Sequence, residues 1–214
     1  MLEPPMSPRA YNAESRRRQQ AERKARIAAA TAGLHAQKGV AGTSYADIAR
    51  QAGVSLPTVY SHFPTQDELL RGCTAHVAAR APGVLSQDIL AAANLRAAAD
   101  LLVVSMERVH LHFEPWLAKR EDGVVPFLAA ASAAACRDRT ALVARVLERH
   151  LGSGPRPELE AAWESLLSFD FWYRLVRVHG LARAAARRVI VQCLLTLAAP
   201  VSSAMLASRR RNSA

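Results

Sequence analysis

Cysteine is sparse, long apolar runs are absent and lysine is almost missing, and each shortage narrows what this chain can be. Only Cys73, Cys136 and Cys193 occur, far apart and without CxxC spacing. That excludes a disulfide framework, and the three read as reduced core thiols. No apolar run reaches the roughly 18 residues of a membrane span. The best one, Ile190 to Val201, is interrupted by Gln192 and Pro200. Behind the arginines of MLEPPMSPRAYNAESRRR there is no apolar stretch, so no secretory signal is read and a cytoplasmic location is expected. GxSxG, a P-loop, HExxH and paired Cys/His sets are all missing, which argues against an enzyme and against a cofactor or metal. Glu107, His110 and Glu114 repeat at helical spacing, but one histidine between two acids reads as an ordinary hydrogen-bonding group.

Half of the 214 residues are apolar, enough to bury a core in one or two domains. Alanine and leucine dominate and β-branched residues are modest, which favours an all-α fold. The formal charge is +10, and 25 of the 28 basic residues are arginine. Strong basicity points to a polyanionic partner, most often nucleic acid. Residues 1–80 carry 11 basic and 6 acidic groups and residues 81–214 carry 17 and 12, so the total does not localise the partner. One short stretch does stand out: Arg16, Arg17, Arg18, Arg23, Lys24 and Arg26.

Residues 1–13, with Pro4, Pro5 and Pro8, read as a disordered arm. A first helix is predicted from Glu14 to about Lys38, ended by Gly39. Shorter helices follow at about Ser44–Gln51 and Leu56–Phe63, and a fourth is capped by Thr65, with Asp67 and Glu68 in its first turn. After Ala81-Pro82-Gly83 the pattern becomes longer and more apolar. Helices are predicted at Ser86–Phe113, Phe127–Leu151, Glu158–His179 and Leu181–Ala207, with a short segment at Glu114–Arg120. About nine helices result, divided between a domain at 14–80 and a larger one at 81–214.

Tyr45–Pro64 (YADIARQAGVSLPTVYSHFP) is the informative segment. Two short helices crossing steeply need a small residue at the crossing, and Ala49 supplies it. Gly53 then supplies the left-handed turn, at a position other residues enter only at a cost of about 1 kcal/mol or more. Val59 buries on the second helix against Ile48 and Val54. Ser44 and Asp47 have capping-box spacing, Ser55 can cap through the amide of Thr58, and Pro57 falls in a first turn where no hydrogen bond is lost. A helix-turn-helix follows, presenting Leu56, Pro57, Thr58, Ser61 and His62 to a major groove. Its leading end is apolar, suited to a thymine methyl or to duplex shape. Thr43, Tyr60, His62 and the start of the fourth helix suit phosphate contact. A helical hairpin buried in a core is the competing reading.

Residues 16–70 resemble the DNA-binding domain of the TetR family of repressors. The resemblance rests on Thr43-Ser44-Tyr45-Ala46-Asp47-Ile48-Ala49, Ala52-Gly53-Val54-Ser55, Thr58-Val59-Tyr60-Ser61-His62-Phe63-Pro64 and Glu68-Leu69-Leu70. It implies that Tyr60 and His62 lie near the DNA backbone and that Phe63 packs the small domain. The family often carries lysine near the start of the fourth helix; Gln66 stands there, and the basic first helix is expected to compensate. Thr43, Ser44, Tyr45, Ser55, Leu56, Pro57, Thr58, Tyr60, Ser61, His62 and Gln66 are thus the expected DNA-binding set.

As in that family, the larger domain is expected to pair subunits and to sense a small molecule. A homodimer matches a pseudo-palindromic operator, and Leu166, Val191, Leu194, Leu195, Ala198 and Leu206 are the expected interface. Aromatics concentrate around an expected pocket for a small, largely apolar effector. Its lining is read as Met106, His110, Phe113, Trp116, Phe127, Trp163, Leu167, Asp170, Phe171 and Arg174. The expectation is a repressor of transcription whose effector shifts the segment near Trp116 and, through it, the fourth helix. An architectural DNA binder without effector is the alternative, and a small helical enzyme is the weaker one.

Overall fold

The computed structural model describes the backbone of residues 8–121 and 125–211, and the side chains of 14–121 and 125–199. The described residues form helices and their connections, without a strand. They divide into two compact units, the residues up to Ala81 together with Ala118–Glu121, and Pro82–Leu117 with the residues from Asp122 onward. No described helix is long and apolar enough to cross a membrane.

The first unit holds α1 (Pro8–Lys38), α2 (Tyr45–Ala52), α3 (Leu56–His62) and α4 (Gln66–Ala78). Its core is Ile27, Ala28, Ile48, Ala49, Ala52, Val59, Phe63 and Leu69. Ala49 and Val59 are buried as their spacing predicts, and Gly53 takes φ +62 to end α2. Within the arm expected over 1–13, residues 8–13 are helical. α1 already begins at Pro8, because proline in a first turn has no intrahelical bond to lose; residues 1–7 lie outside the described residues. Ala118–Glu121 also joins this unit, although the sequence pattern assigns it to the larger domain.

The second unit holds α5 (Ser86–Ala91), α6 (Leu95–Leu117), α7 (Pro126–Leu151), α8 (Pro157–Leu166), α9 (Phe169–Tyr173) and α10 (Arg183–Arg211), around a main core and a smaller cluster of Trp172, Val176 and Ala186. In the main core, Leu102, Val103, Val143, Val146, Leu147, Trp163, Ile190 and Leu194 are at the centre. Two predicted helices are broken in two. Ala92 turns extended after α5, and Asn94 Oδ1 accepts the Ala97 N–H at 2.9 Å, restarting the chain as α6. Likewise Ser168 is extended after α8, and its Oγ accepts the Phe171 N–H at 3.2 Å. In both places a side-chain cap competes with helix continuation. α6 also runs through Pro115 to Leu117, where the sequence pattern gives a separate segment. α9 continues into a wide π-turn, Arg174–Val178, before Gly180 at φ +70.

The residues expected at the subunit face are mostly turned inward within the single chain. Val191, Leu194 and Ala198 are buried in the unit's own core, and Leu166 and Leu195 pack partly against it; Leu206 lies outside the described side chains. α10 is apolar on more than one side, so periodicity alone does not say which side faces inward. The large apolar residues exposed in this unit are instead Val84, Val178, Val189 and Leu197, the last two on α10. Of the three thiols, all free, only Cys73 is a core residue; Cys136 and Cys193 are half-buried. Burial pushes the Cys73 thiol up to about 11, so it is an unreactive group.

Candidate nucleic-acid interface

Local chemistry sets the α2–α3 geometry. Ser44 Oγ accepts the Asp47 N–H at 3.1 Å while Asp47 Oδ2 accepts the Ser44 N–H at 3.3 Å, a reciprocal cap. Asp47 also accepts from Lys38 Nζ at 2.6 Å and pairs with Arg50. Bonds from Lys38 and Ser44 hold its carboxyl well below the usual range, so it stays ionised. Ser55 Oγ accepts the Thr58 N–H at 3.4 Å and lies 2.7 Å from Thr58 Oγ1, and Pro57 sits in the first turn of α3. Thr65 Oγ1 accepts the Glu68 N–H at 3.2 Å to open α4. Each of these caps follows the sequence expectation.

α3 buries Val59 and leaves Leu56, Pro57, Tyr60 and Ser61 exposed, with Thr58 and His62 half-buried beside them. Tyr60 stacks on Tyr45 with ring centroids 4.6 Å apart and planes at 11°. The Tyr45 hydroxyl donates to the Phe63 carbonyl at 3.5 Å, so the pair forms a rigid aromatic ledge joining α2 to α3. Burial first, and then the positive charges of Arg23 and Lys24, lower the His62 pKa; His62 therefore offers a neutral hydrogen-bonding imidazole near neutral pH. Two expected DNA-binding residues are turned to local duty. The Thr43 hydroxyl donates to the Gly39 carbonyl at 2.7 Å, and Ser61 Oγ donates to the Thr58 carbonyl at 2.9 Å. Gln66 is exposed at the start of α4.

Sequence reasoning missed the device that fixes the turn between α1 and α2. Glu121 accepts the Val40 N–H at 2.8 Å and the Ala41 N–H at 3.1 Å, while Lys119 Nζ donates to the Gln37 carbonyl at 2.8 Å. The last carbonyls of a helix have no partner within it, and here a segment from far along the chain supplies one and holds the amides that follow. No local pattern announces a partner about 80 residues away.

In the second unit, the expected pocket residues only partly converge. Met106, Trp163 and Leu167 share the core, with Phe171 packed against it. His110 Nε2 donates to the Leu167 carbonyl at 2.9 Å. Phe113 and Trp116 lie further along α6, half-buried, with the His112 ring 4.9 Å and 6.3 Å from them. Phe127 is half-buried at the start of α7, while Asp170 and Arg174 are exposed. Besides His110, the polar part of this region is built from residues outside the expected set. Glu107, buried, accepts from Trp172 Nε1 at 3.5 Å and faces Arg187 Nε at 3.3 Å. Glu107 is an acid inside an apolar helical run, and that is the signal the sequence offers. Trp163 is fully buried, and its Nε1 has no hydrogen-bond partner among the described residues.

Comparison with known proteins adds to this geometry. Residues 27–73, which span the end of α1 through most of α4, match the family described as bacterial regulatory proteins, tetR family. The fold is similar to the crystal structure of the multidrug binding protein EbrR complexed with imidazole, at 26% identity and TM-score 0.50, covering 80% of this chain and 94% of that one. It is also similar to a transcriptional regulator from Rhodococcus sp. Rha1, at 22% identity and TM-score 0.55, covering 84% and 97%. Comparison with curated protein sequences returned no match.

Proposed function

We propose that this chain, whose residues 27–73 match the tetR family of bacterial regulatory proteins, is a dimeric, sequence-specific DNA-binding repressor that a small, largely apolar effector releases from its operator. One observation carries the reading. α3 is locked from behind by Val59 and turns Leu56, Pro57, Tyr60 and Ser61 to solvent, as a helix entering a major groove must. Leu56 and Pro57 read methyl groups and duplex shape; Tyr60, His62 and the start of α4 hold phosphates. The protein acts in the cytoplasm, where its operator is.

Pairing uses the exposed side of α10 rather than the residues buried in the core. Val189, half-buried Cys193 and Leu197 repeat at i, i+4 and i+8, and so form one apolar stripe. A twofold dimer of this kind sets two α3 helices about 34–36 Å apart, one duplex turn. The effector enters among Met106, His110, Trp163 and Phe171, and supplies an acceptor for the orphaned Trp163 N–H, whose burial without a partner costs about 1–3 kcal/mol. The similar EbrR is a multidrug binding protein, which fits an apolar effector. Since α6 continues directly into Ala118–Glu121, a shift of α6 reaches the α1–α2 turn, and a coupling of about 1–3 kcal/mol is sufficient for release.

The test is selection of duplexes from a random library by the full-length protein. A recovered palindromic site, bound as a dimer of about twice 23.2 kDa, is the expected result. Val189→Glu with Leu197→Glu should give monomers by light scattering and weaken operator binding at least tenfold, while leaving helicity intact because both residues are exposed. Equal retention of every duplex would instead indicate an architectural binder.

A further inference from the structure

The N-terminal half of α1 has no part in the core. Every residue from Glu14 to Arg26 is exposed apart from half-buried Ser15, and burial begins only at Ile27. A helix turn left without an apolar contact contributes little to stability, yet this one carries a dense set of cations. Arg18 is paired with Glu22 at 3.0 Å. Arg17, Arg23 and Lys24 carry no ion pair among the described residues. These three cations, with Gln20, line one wall of a cleft of about 560 Å³. Thr58, Ser61 and His62 of α3 line the other wall. Lys24 Nζ is held 5.2 Å above the Phe63 ring, which fixes the cation beside the end of α3 rather than leaving it free in solvent.

We propose that this cleft is a second DNA-binding surface, in which Arg17, Arg23 and Lys24 grip the phosphates of the strand flanking the groove that α3 enters. The proposal rests on the DNA-binding reading above and extends it to an element outside the helix-turn-helix. The charges fit: three cations face a hydroxyl- and imidazole-lined wall with no carboxylate among the cleft's residues. Position fits as well, since the cleft shares Thr58, Ser61 and His62 with the reading helix, so a strand reaching α3 passes the arginines. The neighbouring cleft between α1 and α4 differs in containing Glu22, which weakens it for a polyanion. The cations of α1 also replace the charge that Gln66 does not supply at the start of α4.

Phosphate contacts set the salt dependence of binding without setting base preference, and the test uses that separation. The probe is the duplex recovered from the random library, extended by about ten base pairs, one duplex turn, on each side. Affinity is measured by fluorescence anisotropy between about 50 and 300 mM KCl, the range over which phosphate binding responds to salt. The full-length protein is compared with Arg17→Gln/Arg23→Gln/Lys24→Gln. The variant should bind at least about tenfold more weakly at about 150 mM salt, and its log–log salt slope should flatten by about 0.9 for each phosphate no longer gripped, up to about 5 for the dimer. The ranking of base substitutions within the site should not change. A control that removes the same charge from exposed positions of the second unit, Arg96→Gln/Arg145→Gln/Arg149→Gln, should leave the slope unchanged. Because Lys24 touches Phe63, the pair Arg17→Gln/Arg23→Gln is measured in parallel and should give about two-thirds of the effect. A slope and affinity no different from the control overturn the α1 assignment while leaving DNA binding by α3 in place. Recovery of no duplex at all overturns both.

Discussion

Phe63→Ala is expected to destabilise the first unit by about 3–5 kcal/mol, to unfold it at growth temperature and to abolish operator binding, with the second unit still folded. Phe63 follows α3 directly, is 1% exposed, and lies in the core with Ile27, Ile48, Val59 and Leu69. Its ring rests on bare backbone: a Cβ placed on Gly72 of α4 would come within 2.4 Å of the ring. Its main chain is also tied in, donating to the Val59 carbonyl at 2.9 Å and accepting from Tyr45. Removing the ring therefore leaves a cavity between α1, α3 and α4 that no neighbouring side chain closes. A domain of this size has total stability of only about 5–15 kcal/mol, so the loss is decisive. The second unit has its own separate core and should keep its melting transition. Calorimetry would show two transitions in the parent and one in the variant; an unchanged first transition would refute the packing argument. Gly72→Ala probes the same contact from the other side, and overpacking there should cost about 1–3 kcal/mol.

The contrast between the two units explains what could be read from the sequence. In the helix-turn-helix the caps and the turn are local: Ser44 with Asp47, Ser55 with Thr58, Gly53 in its left-handed turn. Such contacts leave their spacing in the sequence, and the elements fall where the spacing puts them. The breaks at 92–94 and at Ser168 were harder, because neither has proline or glycine. A single Asn or Ser cap ended the helical run in each case. What could not be read was tertiary. Glu121 reaches the amides of Val40 and Ala41 across some 80 residues, and nothing near Glu121 marks it. Nor could α10 be oriented from its pattern, since Val189 and Leu197 look no different in sequence from Val191 and Leu194, yet only the second pair is buried. The cations of α1 were legible as a cluster, but their place across a cleft from α3 was not.

Acid should unfold the second unit earlier than its carboxylates alone would require, because of His110. The ring is 5% exposed, donates to the Leu167 carbonyl and packs between Phe169 and Trp172 at centroid distances of 5.8 Å and 5.7 Å. Burial lowers its pKa from 6.5 to about 4, the carbonyl bond opposing this and Arg139 adding to it. The folded protein thus keeps the ring neutral over a range where the unfolded chain protonates it. Above pH 6.5 neither state binds the proton and stability is complete; from 6.5 down to about 4 only the unfolded state takes it up, so stability falls. Each pH unit in that window costs about 1.4 kcal/mol, hence about 3 kcal/mol by about pH 4 from this one residue. His150 is shifted in the same direction, again chiefly by burial, and steepens the fall. His110→Gln keeps an N–H donor for the Leu167 carbonyl and removes the titration. Urea unfolding of the second unit at about pH 6.5 and about pH 4.5 should then show a loss smaller by about 2 kcal/mol in the variant than in the parent. Equal losses would mean that His110 is already charged in the folded protein, or already exposed, and the buried neutral ring would have to be abandoned.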